Sequence, residues 1–100
     1  MKIILSILFI FIVSTSSLQA DNKVDLVNLY KELHANPELS FKEERTSKKL
    51  ANILKNLGLE VTENFGGYGV VALLKNGEGK TIMLRADMDG LPVKELTGAP

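Results

Sequence analysis

The chain of 100 residues has no cysteine, one histidine and no surplus of charge, with 12 basic and 12 acidic residues. Without cysteine no disulfide supports the fold, and a lipid-anchored lipoprotein is excluded. A neutral balance makes no electrostatic case for nucleic acid or an anionic membrane surface. There is no basic stripe and no alternation of aromatics with arginines, so nucleic-acid binding is set aside. A lone histidine cannot build a zinc site, which usually draws on several ligands. Internal repeats and low-complexity segments are missing as well.

What is present begins with "MKIILSILFIFIVSTSSLQA". Lys2 is followed by an apolar stretch from Ile3 to Val13 and a small polar segment ending at Ala20. The stretch is too short to span a bilayer as a helix, which takes about twenty residues. The order of basic start, short apolar run and small-residue end is that of a secretory signal peptide. Residues 1–20 are therefore read as a signal peptide, and the rest as exported to a periplasm or the extracellular space. Leu18 is larger than the usual residue three before a cut, and an uncleaved membrane anchor is the alternative. After cleavage no stable membrane span is expected. Residues 21–100, roughly 80 in number, can form one small core. Their end, "KELTGAP", stops in turn formers with no closing element, as expected of an interrupted chain.

Two helices are expected. Val24, Val27, Tyr30 and Leu33 recur at helical spacing from Asn22 to about His34, widened by Leu26 and Leu29. Asp21 or Asn22 would cap the start, and Asn36 before Pro37 would end the helix. Ser40 and Glu43 spell a capping box for a second helix, with a core stripe of Leu50, Ile53, Leu54 and Leu57. Gly58 would supply its left-handed C-terminal position. Glu43, Glu44, Lys48, Lys49 and Lys55 are assigned to its solvated face. Strand character follows. "LEVTEN" alternates as a half-exposed strand, and "FGGYG" links it onward. "VVALLK" and "KTIMLRA" are apolar runs expected to be covered on both faces, joined by "NGEG" as a hairpin turn. Two helices and three strands make an α/β or α+β layer, the opening of a larger sheet.

Three features are candidate sites. "GGYG" at 66–69 lacks the lysine and hydroxyl of a phosphate-binding loop and opens no helix, so it is read as a connector. His34, at a helix C-terminus, is read as meeting free carbonyls there. Asp87 and Asp89 stand two apart at the end of an apolar strand, so both would emerge on one face. In open α/β sheets ligands bind beyond such ends. The pair suits a divalent metal, the orientation of a ligating histidine, or proton transfer. Simple solvation at a surfacing strand end explains the pair equally well.

"LHANPELSFKEERTS" (33–47) and "TIMLRADMDGLPVKE" (81–95) together resemble the start of the metal-dependent amidohydrolases. That family includes hippurate hydrolase, the aminoacylase-like N-acyl-amino-acid amidohydrolases and the indole-acetyl-amino-acid hydrolases. The resemblance covers nearly all of residues 24–100. It implies an α/β fold, the start of a mixed-sheet, zinc-peptidase-like catalytic domain flanked by helices, with residues 21–100 as its N-terminal part. A lid or dimerisation domain, and with it a homodimer of the parent, would lie outside this chain. The implied cofactors are two divalent ions, zinc or manganese, in the full-length parent and none in this fragment. Substrates would be small N-acyl amino acids or short peptides, cleaved at the amide by water activated at that centre. In related peptidase branches the strand ends in His-x-Asp, with the histidine on the metal. Here that histidine position is Arg85, as is usual in the hippurate hydrolase-like branch. The resemblance gives Asp87 the role of orienting a metal-ligand histidine, and Asp89 no definite role. Gly90 stands where alanine is commoner, a change read as mild.

The family's metal ligands and paired glutamates would lie beyond Pro100, so the fragment is expected to be inactive. Two alternatives stand beside this reading. One is an exported dipeptidase or carboxypeptidase of the same clan. The other is a non-catalytic secreted α/β binding module.

Overall fold

The computed structural model describes residues 23–98, so the segment read as a signal peptide lies outside the described residues. Helix α1 spans Leu26–Ala35. It starts later than the apolar spacing suggests because Asp25 caps it, its carboxylate accepting the Asn28 N–H at 3.0 Å. Asp21 and Asn22, the expected caps, lie outside the described residues. The end falls where the Asn-Pro pair places it. Asn36 caps it, its backbone N–H reaching the carbonyls of Glu32 and Leu33 and its side-chain amide donating again to Glu32 at 2.9 Å. No α1 side chain is buried, and Lys49 reaches its Glu32 at 2.6 Å.

Helix α2 spans Glu44–Asn56. The Ser40–Glu43 capping box does not form. Residues 39–42 make a separate turn, with Lys42 N–H on the Leu39 carbonyl at 2.8 Å and Phe41 at a positive φ of 62°. Glu43 becomes the N-cap residue without using its side chain as a cap. It is also buried rather than solvated, unlike Glu44 and Lys48, which pair on the exposed face at 2.7 Å. The inner face of α2 is lined by Thr46, Ser47 and fully buried Ala51. Leu50, Ile53 and Leu54 are half-buried and Leu57 is exposed, so the expected stripe only borders the core. A small side chain is innermost because it lets the helix approach the sheet closely. The C-terminus closes as the Gly58 position predicts. Gly58, at φ +85°, donates to Lys55, and Leu59 donates back to Leu54. These two bonds satisfy carbonyls that the helix end would otherwise leave free.

Strands β1 (Glu60–Phe65) and β2 (Gly69–Leu73) form an antiparallel pair with Val61 opposite Ala72. Gly66 and Gly67, both at positive φ, make the turn between them, so the connector reading of this loop stands. β1 alternates as expected, with Val61 and Glu63 half-buried and Glu60 and Thr62 exposed. Helix α2 packs against both strands, and Lys55 pairs with Glu63 across that junction.

The third strand is the main departure. Residues 80–89 join no strand, and "NGEG" closes no hairpin. Ile82, Met83 and Leu84 are 85%, 84% and 93% exposed, and Val71 and Leu73 are exposed on β2. A strand is fixed only when burial and ladder bonds offset the entropy of ordering it. Here no second layer covers either face of the run, so neither term is supplied. Helices and sheet together keep the α/β character. Among the described residues, no helix is long and apolar enough to cross a membrane.

Candidate functional site

The two sequence blocks that carry the family resemblance meet in space. Residue 90 forms an isolated parallel bridge with Leu39, and the Gly90 N–H donates to the Glu38 carbonyl at 2.6 Å. Five residues further on, Glu95 lies 3.9 Å from His34 at the end of α1. The chain leading into Gly90 carries Asp87 and Asp89, so these tethers decide where both acids stand relative to the helices.

Asp87 does not face a cation site of its own. Arg85 donates from Nη2 to its Oδ1 at 2.7 Å, and the two side chains are 79% and 70% exposed. Such an exposed pair contributes little to stability. The arginine that stands where related peptidase branches carry a histidine is thus bonded to the acid two positions on. Asp89 is exposed as well. The strand on which a common face was argued is absent, so nothing in the ladder sets their orientation. Among the described residues, no three histidine, aspartate or glutamate side chains cluster as a metal site would need. These residues do not by themselves fit a two-metal centre.

His34 differs from its expected role. Asn36 occupies the Glu32 and Leu33 carbonyls at the helix end, and the imidazole instead stacks on Tyr30 with ring centroids 5.8 Å apart. Its Nε2 faces Glu95, whose carboxyl is held below the usual range by hydrogen bonds from Thr97 and, less strongly, by the imidazole.

Glu38 is the residue that sequence reasoning missed. Its Oε2 accepts the Thr46 N–H at 2.7 Å, and its Oε1 accepts the Arg45 N–H and the Arg45 Nε, each at 3.2 Å. It therefore does for the first turn of α2 what Ser40 was expected to do. The Thr46 amide first, then Arg45, lower its pKa from 4.5 to about 2. Seven and eight residues separate acceptor from donors, which is no local capping spacing, so periodicity carried no signal for it.

Gly90 is also more than a mild change. A Cβ added there would meet Pro37 Cβ at 2.6 Å, a ring atom that cannot swing away. The missing side chain lets the two blocks touch.

A polypeptide of this kind is an α/β segment whose acid pair sits in one motif block, which is tethered through Gly90 to the other. Hippurate hydrolase of Campylobacter jejuni is 51% identical over 70 residues, which cover 69% of this chain and 18% of that protein. Thermostable carboxypeptidase 2 of Saccharolobus solfataricus is 49% identical over 72 residues, covering 70% and 18%. N-acetylcysteine deacetylase of Bacillus subtilis is 40% identical over 77 residues, covering 75% and 20%. The chain belongs to the metallo-amidohydrolase family of these hydrolases. It spans about a fifth of the length of the curated relatives it matches. No family model matches the chain, and no solved structure does.

Proposed function

We propose that this chain is the N-terminal part of the zinc-peptidase-like catalytic domain of an exported amidohydrolase, which cleaves the amide bond of N-acyl amino acids. The 51% identity to hippurate hydrolase carries the substrate class, since hippurate is an N-acyl glycine. Asp87 is the aspartate beside the metal centre, orienting a histidine ligand supplied from elsewhere in the protein. Zinc or manganese would be held by those other residues. What this chain contributes is the placement of the acid pair, through Gly90 and Glu95, against α1 and α2.

A carboxypeptidase reading is favoured by a separate observation, the 49% identity to thermostable carboxypeptidase 2. Both activities release a free amino acid from an acyl or peptidyl group, so they differ in the group recognised on the far side of the amide.

The test is expression of the reading frame carrying this segment, assayed with hippurate, N-acetyl amino acids and N-blocked dipeptides. Turnover of the simple N-acyl amino acids that a chelator abolishes supports the first reading. Turnover confined to the dipeptides supports the second. An intact product inert towards all three would refute both. The 100-residue chain by itself is expected to show no chelator-sensitive turnover.

A further inference from the structure

We propose that Glu38 is a positioning residue for the hydrolase, fixing the Asp87–Gly90 segment against the start of α2. The inference rests on the hydrolase reading and goes beyond it to a residue outside the acid pair.

Four contacts converge on this residue. Its carboxylate accepts the backbone amides of Arg45 and Thr46, together with the Arg45 side chain. Its carbonyl accepts Gly90 N–H at 2.6 Å. One residue thus ties the first turn of a helix to the segment bearing the candidate acids. A carboxylate on amides at a helix N-terminus is a strong anchor, because it meets free donors and the positive end of the helix dipole together. The Glu38 side chain is only 12% exposed, so water competes weakly for those donors.

The anchor has a geometric consequence. With its side chain clamped on α2, Glu38 has little freedom to move its carbonyl, and Gly90 is held where that carbonyl points. Gly90 has no Cβ to push against Pro37, so the contact stays short. Asp89 immediately precedes Gly90 in the chain, and Asp87 lies three residues before it. Release of the anchor would let the segment drift, and misplacement by about 1 Å can cost roughly 100-fold in rate.

The test separates positioning from ordinary stabilisation. Glu38→Ala in the full reading frame is expected to lower kcat by about 10- to 100-fold, as loss of a supporting contact does, while KM holds. Glu38→Gln keeps one acceptor and is expected to recover part of the rate. Glu38→Ala combined with Glu43→Ser supplies a conventional side-chain cap for α2. It is expected to restore the melting midpoint but leave kcat low. In the 100-residue chain, Glu38→Ala is expected to speed hydrogen exchange at the Gly90 amide. An active wild type with unchanged kcat in Glu38→Ala, or full recovery of kcat in the recapped double variant, would overturn the proposal and leave the hydrolase reading intact. Unchanged Gly90 exchange would overturn it too. A wild type inert towards every substrate overturns the hydrolase reading, and this inference falls with it.

Discussion

Gly90 and Pro37 are in contact so close that a Cβ on the glycine would stand 2.6 Å from the proline Cβ. Gly90→Ala is therefore expected to push the two blocks apart and cost about 1–3 kcal/mol, the usual range for overpacking. Urea unfolding of the variant against the parent chain measures this. A cost within error of zero would mean that the backbone yields freely at the Leu39–Gly90 bridge.

The Glu38 carboxylate, with its pKa lowered from 4.5 to about 2, makes a pH prediction. A lowered folded-state value means that its contribution is fully present above the unfolded value. That contribution is lost as pH falls from about 4.5 through about 2. Protection of the Arg45 and Thr46 amides, taken relative to their intrinsic exchange rate at each pH, is expected to be high above that window and to fall within it. Loss of protection already at pH 6 would contradict the assignment.

Ala51 is the fully buried apolar residue at the junction of α2 with the hairpin. Ala51→Leu is expected to destabilise by about 1–3 kcal/mol through overpacking. Ala51→Gly is expected to cost about 1 kcal/mol through helix propensity. Chemical denaturation followed by circular dichroism reads both, and a stabilising Leu variant would show that the helix has room to lift.

Asp25 caps α1, where no side chain is buried to compensate for its loss. Asp25→Ala is expected to weaken this helix by about 1 kcal/mol. Amide exchange across 28–31 should accelerate while α2 is unaffected. Equal acceleration in both helices would indicate that they melt as one unit.

Ile82, Met83 and Leu84 present an apolar run to solvent. Exposed patches of this kind drive association. Replacing Ile82 and Leu84 with lysine is expected to reduce concentration-dependent self-association of the 100-residue chain in sedimentation experiments. Identical sedimentation of variant and parent would locate the sticky surface elsewhere.

Much of the local structure is legible in the sequence. The Asn36–Pro37 stop, the Gly58 terminator and the "FGGYG" connector were all readable because the groups that satisfy each backbone lie within a few residues of it. The capping box at Ser40 was misleading for a related reason. A local motif competes with a distant carboxylate, and Glu38 reaches the Arg45 and Thr46 amides instead. The acid pair at Asp87 and Asp89 was visible as a motif, but its tether to Glu38 was not, because some fifty residues separate them in the chain.

The sequence by itself determined where helices stop, that "FGGYG" is a connector between strands and to which family the motif blocks point. These are properties of residue type and short spacing. Only the tertiary structure decided that "TIMLRA" stays unpaired, that His34 stacks on Tyr30 and that Glu38 holds both α2 and Gly90. Each of those outcomes depends on what lies beside a residue in space. An apolar run becomes a strand only beside a neighbour that can bury it, and a carboxylate becomes a cap only where free amides are presented to it.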